Sequence, residues 1–342
     1  MEKIRNSIFK TRLDCYFSLF ANCVTVKGET RGVIYDLQRE NIHFIPIDLI
    51  KLLLDYKRKK VRVLIEDYVN QTKIIEKYFS YLCDDELLFF TKEPNNFPKI
   101  SEKVNLIPNE IDFLSLEIDD FQECKIALLK NIDSLGVKEL LIVQTKSLDN
   151  NFTLLEQILK ICDKSRVQNI IFILPDIQFE ESIVYRIKEK YKRLSKIIFF
   201  NSNEKINADV FVKTKKKLYN VLCRRIEKIE DFVVNIKAYT EAKCFNLYFN
   251  RRVYIDNEGN IKHSYDDEFS YGNIKNGNIK KIINSEQFQK IWKITKDKIK
   301  VCDNCEFRYV CPDNRIPNYI KKKETYVHKN PCSYDTKTNV WK

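Results

Sequence analysis

Between residues 111 and 200 the chain alternates short apolar runs with longer amphipathic ones, and no other feature limits its architecture as much. The runs at 111–117, 139–144, 169–174 and 196–200 have strand length, whereas 121–135, 152–162 and 180–191 repeat apolar residues at helical spacing. Gly136 ends the first of these helices. Strands this apolar must be covered on at least one face, which predicts parallel βαβ units in an open sheet or partial barrel. One more strand is expected at 208–212.

Upstream, 22–26 alternates, a turn follows at Gly28, and 32–36 and 42–45 supply two further strands. Pro46 suits the first turn of a helix carrying Leu49, Leu52, Leu53 and Tyr56. A second helix at 61–68 and a third at 71–82, with Ile74, Ile75, Tyr78, Phe79 and Leu82 as its stripe, precede a strand at 87–90. This is the element order of a winged helix, which holds DNA or accepts an extended peptide on its open sheet edge. Through its stretches GVIYDLQRENIHFIP and YLCDDELLFF it resembles the precursor-recognition domain of ribosomal-peptide maturation enzymes. That resemblance implies a leader peptide paired along Ile42, Phe44 and Ile45 and resting on the helix that bears Lys73, Lys77 and Tyr81. The bland alternative is a solvated edge and helix face.

Pro94 and Pro98 mark 92–105 as a linker. Three modules follow from this reading: a winged-helix-like domain at 1–100, an α/β body at 101–230 and a third segment at 231–342. The last opens with a hairpin, 251–256 and 260–264, around Asn257-Glu258-Gly259. A helix at 280–298 then buries Ile282, Ile283, Phe288, Ile291, Trp292 and Ile294.

Lys and Arg number 60 against 48 Asp and Glu, a net charge of +12. Because lysine is abundant everywhere and only short runs such as 57–60 and 213–217 concentrate it, the charge reads as solvated faces rather than a nucleic-acid footprint. No apolar run reaches membrane-span length and 1–17 lacks a signal-peptide core, so a cytoplasmic protein without a membrane partner is expected. In a reducing compartment the 11 cysteines are expected to be free or metal-bound. Cys15, Cys23, Cys83, Cys124, Cys162 and Cys223 sit among apolar residues and read as small buried hydrophobes.

Cys244 is scattered as well, but the remaining four are not. Cys302-x2-Cys305-x5-Cys311-x20-Cys332 lies in VCDNCEFRYVCPDNR and NPCSYDTKTNVW. A CxxC turn aims two sulfurs at one metal, and two further thiolates complete four-coordination. Pro312, Pro317 and Pro331 suit a loop stiffened by ligation. Geometry alone leaves Zn2+ and an iron–sulfur cluster open, since both accept four thiolates.

From about residue 232 onward the chain resembles the SPASM domain of peptide-modifying radical-SAM enzymes, and in particular the grasp-with-spasm maturases that accompany an ATP-grasp ligase. The matching stretches are NRRVYIDNEGNIK, YGNI, FQKIWKITKDKIKVCDNCEFRYVCPDNR and CSYDTKTNVWK. The resemblance implies a 4Fe-4S cluster on Cys302, Cys305, Cys311 and Cys332. It also shows departures. A further cluster site would fall on Tyr248 or Cys244, on Ser264, and on Asn314 or Arg315, which leaves one thiol at most. The CxxxCxxC loop that chelates S-adenosylmethionine is missing, for the first body strand is followed by IDDFQECK with Cys124 alone.

No Walker loop or GxGxxG occurs, and His43, His263 and His328 are dispersed. His263, beside the hairpin, reads as an exposed strand residue rather than a substitute ligand, and Asp266 with Asp267 as a polar loop rather than a paired-carboxylate site. The expected protein is therefore α/β, with a degenerate partial (β/α) barrel between a winged-helix peptide-recognition domain and a SPASM-like metal-binding domain. By resemblance, it matures a ribosomally synthesised peptide, holding the precursor leader for an ATP-grasp ligase, with no radical-SAM cluster and no assigned catalytic residue. Two rivals are an enzyme using its single cluster for redox or Lewis-acid chemistry on a peptide, and a basic zinc protein that binds nucleic acid.

Overall fold

The computed structural model describes residues 8–101, 109–120, 122–146, 152–223 and 225–342. Residues 102–105 of the expected linker, Phe121 at the start of an expected helix, and the first seven residues of the segment read for a signal lie outside them.

The first module opens with β1 (Tyr16–Leu19), β2 (Cys23–Lys27), β3 (Gly32–Asp36) and β4 (Asn41–Ile45). It continues with α1 (Ile47–Asp55), α2 (Val61–Asp67), α3 (Thr72–Asp84) and β5 (Leu88–Thr91). β2, β3 and β4 form an antiparallel meander, while β1 pairs with β5, Phe17 opposite Phe90. β1 was not expected: four residues carry no readable period, and the strand exists because a partner some seventy residues later pairs with it. The helices bring Leu49, Leu53, Leu64, Phe79 and Leu82 onto Ile34 and Ile45. Phe79 sits at the centre, edge-on to Phe9 and Phe17 with ring centroids 5.3 and 5.0 Å away.

The body is built on an eight-stranded sheet. In chain order its elements are β6 (Phe113–Glu117), α4 (Glu123–Lys130), β7 (Glu139–Val143), α5 (Thr153–Cys162), β8 (Asn169–Pro175), α6 (Glu181–Lys190), β9 (Leu194–Phe200), β10 (Ile206–Asn207) and β11 (Phe211–Lys213). After α7 (Leu218–Leu222) and α8 (Ile236–Cys244), the third segment adds β12 (Arg252–Ile255) and β13 (Ile261–Lys262). The order β10-β11-β9-β8-β7-β6-β12-β13 is parallel from β11 to β12, with one antiparallel strand at each end. Sheet and core thus run across residue 231, because β12 pairs with β6 in register, Val253 opposite Leu114.

Period-2 alternation sorts the side chains. Leu114, Leu116, Leu140, Ile142, Ile170, Phe172, Ile197, Phe199, Val253 and Ile255 meet the helices in one continuous core. The opposite face carries Val143, Ile173 and Phe200 under α7, and it turns polar at Ser115 and Glu117.

Two expected helices are interrupted, both by side chains that compete for the backbone. The 121–135 helix stops at Lys130 and resumes as a 3-10 turn, Ile132–Ser134, where Asn131 Nδ2 donates to the carbonyl of Ala127 at 2.9 Å. The 280–298 helix is four short pieces: α9 (Ile279–Ile283), α10 (Glu286–Gln289) and 3-10 turns at Ile291–Lys293 and Lys296–Lys298. Ser285 Oγ donates to Ile282 O and accepts from Phe288 N, and groups from elsewhere take the carbonyls a continuous helix needs. Asn246 donates to Trp292 O at 2.7 Å and to Ile294 O at 3.0 Å, and His263 Nε2 contacts Phe288 O at 2.8 Å. Two hairpins finish the chain, β14 (Pro317–Ile320) with β15 (Thr325–His328), and β16 (Tyr334–Asp335) with β17 (Val340–Trp341). Among the described residues no helix is long and apolar enough to cross a membrane.

Candidate metal centre

Cys302 to Asn304 form a 3-10 turn that follows Val301, a β-branched residue held at φ +77°. That conformation is rare for valine and clusters at functional turns. The turn closes when Cys305 N donates to Cys302 O at 3.0 Å. Cys311 follows Val310, whose carbonyl accepts from Val233 at 2.9 Å, and Cys332 lies between the two terminal hairpins.

All four thiols are free and partly buried. Each lies within electrostatic reach of another, for a thiolate at Cys332 would raise Cys302, one at Cys302 would raise Cys311, and one at either Cys302 or Cys311 would raise Cys305. Burial pushes Cys302 and Cys305 above the ordinary thiol range and Cys311 up to about 12. Backbone N–H groups already point at sulfur, Phe307 to Cys305 Sγ at 3.4 Å and Asp313 to Cys311. Such N–H···S bonds stabilise thiolates bound to iron. This chemistry fits a thiolate-held centre. Among the described residues no three His, Cys, Asp or Glu side chains converge tightly enough for a single ion.

Charge lies beside the sulfurs, at positions that the cysteine spacing does not reveal. Lys296 Nζ donates to Asp313 Oδ2 at 2.7 Å, Arg315 bonds both Asp313 oxygens at 2.9 Å, and His328 Nε2 lies 3.3 Å from Asp313 Oδ2. Burial works against Asp313 as an anion, but Lys296 and Arg315 outweigh it and hold the carboxyl well below the carboxylate range. The legible signal was PDNR immediately after Cys311, two charges in a proline-flanked turn.

Most of the positions that resemblance assigns to a second cluster are engaged with other partners. Ser264 Oγ donates to Asp266 at 2.7 Å, and Asp266 accepts from Cys223, whose thiol burial and this carboxylate push up to about 12. Asn314 Nδ2 donates to Leu222 O at 2.9 Å, Arg315 serves Asp313, Tyr248 lies under the Arg252 guanidinium, and Cys244 is exposed. His263 is not an exposed strand residue but is 1% accessible, boxed by Phe249, Tyr271 and Phe288. Its Nδ1 lies 3.1 Å from Asp267, so this acid is a buried partner rather than part of a polar loop.

Where α/β sheets hold ligands, at the C-terminal ends of the strands, a polar network fills the mouth near β6, β7 and β12. Glu117 accepts from Tyr254 OH and from Asn257 N at 3.0 Å. Asp119 accepts from Thr145 N and Oγ1, both at 2.6 Å, and from Asn257 Nδ2. Lys125, next to the lone Cys124, is fully buried and donates to Asn257 O at 2.8 Å. Burial raises Glu117 and lowers Lys125 relative to their ordinary values. Asn257→Ala is expected to cost about 1–3 kcal/mol by removing the Nδ2 donor to Asp119 and the Oδ1 acceptor 3.3 Å from Lys125 Nζ, whose bond to the Asn257 backbone carbonyl stays, measured as a lower urea midpoint at unchanged slope.

The predicted peptide residues fall on two surfaces tied by His43, whose Nδ1 lies 3.0 Å from Tyr81 OH and 3.4 Å from Asp85. Among the described residues β4 pairs only with β3, and Ile42 N bonds its neighbour's Asn41 Oδ1 at 2.8 Å. By alternation, the backbones of Ile42 and Phe44 face the open edge. Ile45 instead turns its side chain into the core. Lys73, Lys77 and Tyr81 line a groove of about 740 Å³ with Glu76, Ser80, Asp84 and Asp85.

Residues 244–306 match the SPASM family, an iron-sulfur cluster-binding domain, and this match supports an iron–sulfur cofactor. It includes Cys302 and Cys305 and ends before Cys311. Among solved structures, BtrN in complex with AdoMet and 2-DOIA is 14% identical over 59% of this chain and 94% of that one, with TM-score 0.35. Streptococcus suis SuiB is 8% identical over 86% and 94%, with TM-score 0.37. SuiB bound to its precursor peptide SuiA is 7% identical over the same shares, with TM-score 0.32. Superpositions this loose carry no argument about the present chain. No curated protein matches it.

Proposed function

We propose that this protein takes part in maturing a ribosomally made peptide, holding the precursor's leader while a partner ATP-grasp ligase acts. In this reading one 4Fe-4S cluster is held by Cys302, Cys305, Cys311 and Cys332, and no S-adenosylmethionine cluster is present. The single observation that carries it is the SPASM match ending in the CxxC turn, on a chain whose remaining two thiols lie within electrostatic reach of Cys302. The first module reads as a winged helix whose β4 edge and α3 groove receive the leader as an added strand. The cluster, when bound, supplies one-electron redox capacity and crosslinks the terminal loops. The chain's own residues do the rest: N–H groups of Phe307 and Asp313 steady the sulfurs, and Lys296 and Arg315 offset their charge.

Anaerobic purification tests this reading. About four iron and four sulfide per chain are expected, with no zinc. One zinc per chain and neither iron nor sulfide would sink it in favour of the zinc rival. The peptide half is tested by titrating the precursor encoded beside this gene into the protein. Lys73→Glu with Lys77→Glu should weaken binding, and equal affinity in wild type and variant would remove the groove from the proposal.

A further inference from the structure

One buried carboxylate helps to fasten the first module to the cysteine segment. Glu306, the residue after Cys305, is fully buried. Its Oε1 accepts from Arg31 Nε at 2.8 Å and from the Tyr334 hydroxyl, and its backbone carbonyl accepts the Tyr35 hydroxyl. Arg31 Nη2 also donates to Tyr334 OH at 3.0 Å. The second oxygen, Oε2, has no partner among the described residues and lies against Gly28, where a Cβ would stand only 2.9 Å away. The chain passes there because position 28 has no side chain.

Neighbouring residues repeat the join. Arg308 Nη1 donates to Lys27 O at 2.7 Å and to Cys305 O at 2.9 Å, so one guanidinium bridges β2 and the cysteine turn. Phe307 meets Phe44 edge-on at 6.1 Å, and the Arg31 guanidinium lies 3.9 Å from the Phe44 ring centroid. Val26, Val33, Tyr35 and Leu37 share a core with Phe307, Tyr309, Val310 and Tyr334, and Cys305 and Cys332 pack against it.

A carboxylate withdrawn from water persists only where hydrogen bonds and an opposite charge hold it. Here both come largely from outside its loop, the arginine from 275 residues earlier. The peptide groups on either side of Glu306 are likewise spoken for, the Cys305 carbonyl by Arg308 and that of Glu306 by Tyr35. A loop that owes its shape to distant partners loses that shape when they go.

We propose that Arg31 and Tyr35 are positioning residues for Cys305, so that the β2–β3–β4 sheet forms one wall of the cysteine centre. The inference rests on the four-cysteine reading above.

The test uses the full-length, metal-free chain, with alkylation of each cysteine by iodoacetamide followed by peptide mass spectrometry. In Arg31→Met the rate at Cys305 should rise roughly five- to thirty-fold, as a local opening eased by one or two interactions allows. Cys162, deep in the body, should stay protected. Tyr35→Phe removes one hydroxyl and should give a smaller rise at the same residue, and Arg31→Lys should restore most of the protection. After reconstitution, both disruptive variants should yield iron to a chelator faster than wild type. Folded variants that alkylate Cys305 at the wild-type rate overturn the proposal, as does a uniform rise at every cysteine. Should Arg31→Met not fold, Tyr35→Phe decides. If wild type holds no iron while Cys305 protection still depends on Arg31, the sheet's hold on Cys305 stands and the cluster reading falls.

Discussion

Cys311→Ser is expected to leave the purified protein with less than one iron per chain where wild type carries about four. The sulfur sits in a desolvated pocket that pushes its thiol up to about 12, so only a metal that displaces the proton can hold it as thiolate. A serine hydroxyl in the same pocket is far more weakly acidic and offers no soft anion. Cys302→Ser, Cys305→Ser and Cys332→Ser should behave alike, because a cluster denied one thiolate is exposed to solvent and oxidation. Cys124→Ser is the control, since that cysteine lies at the mouth of the sheet beside Lys125. Iron, sulfide and the visible absorption of anaerobically prepared variants check the result. Wild-type iron in Cys311→Ser would remove this residue from the ligand set.

Asp313→Asn should produce the largest loss of stability, about 3–5 kcal/mol. Asp313 is the only acid that pairs with Lys296 among the described ion pairs, and both side chains are nearly inaccessible, at 5% and 3%. The amide keeps the shape and removes the charge, leaving a buried ammonium and part of a guanidinium uncompensated. Denaturant unfolding of the metal-free protein measures the cost directly.

The same cluster sets an acid limit. Burial, with Lys296 next to it, lowers His328 from 6.5 to about 3, so the imidazole is neutral in the fold. A group whose folded value is depressed contributes its stability above the unfolded value and loses it as pH falls. For His328 that window runs from 6.5 down to about 3, with on the order of 4 kcal/mol lost at its foot. Asp313, also depressed, adds a loss below its ordinary 3.8. Thermal melts of metal-free wild type should therefore fall steadily below pH 6.5, and His328→Gln should flatten the upper part of that fall. A wild-type profile flat down to pH 4 would show that His328 is not held neutral.

Local sequence carried the parallel body because its strands are apolar on successive residues and its helices keep their period, so 139–144 and 169–174 could be read as covered strands without knowing their neighbours. The CxxC turn was legible for a similar reason, as its geometry lies within four residues. The splitting of 280–298 was not legible. Its apolar stripe is intact, and what breaks the helix is Asn246 and His263 taking its carbonyls from outside.

By itself, then, the sequence determined the elements whose causes are local: alternating strands, amphipathic helices, the glycine at Gly136 and the paired thiols. Tertiary structure alone decided which charges lie beside those thiols, that β12 extends the body's sheet, and that Arg31 reaches Glu306. The physical reason is range. Periodicity and turn chemistry act over a few residues, whereas a buried charge is tolerable only beside a partner, and the chain must fold before residues 275 positions apart can meet.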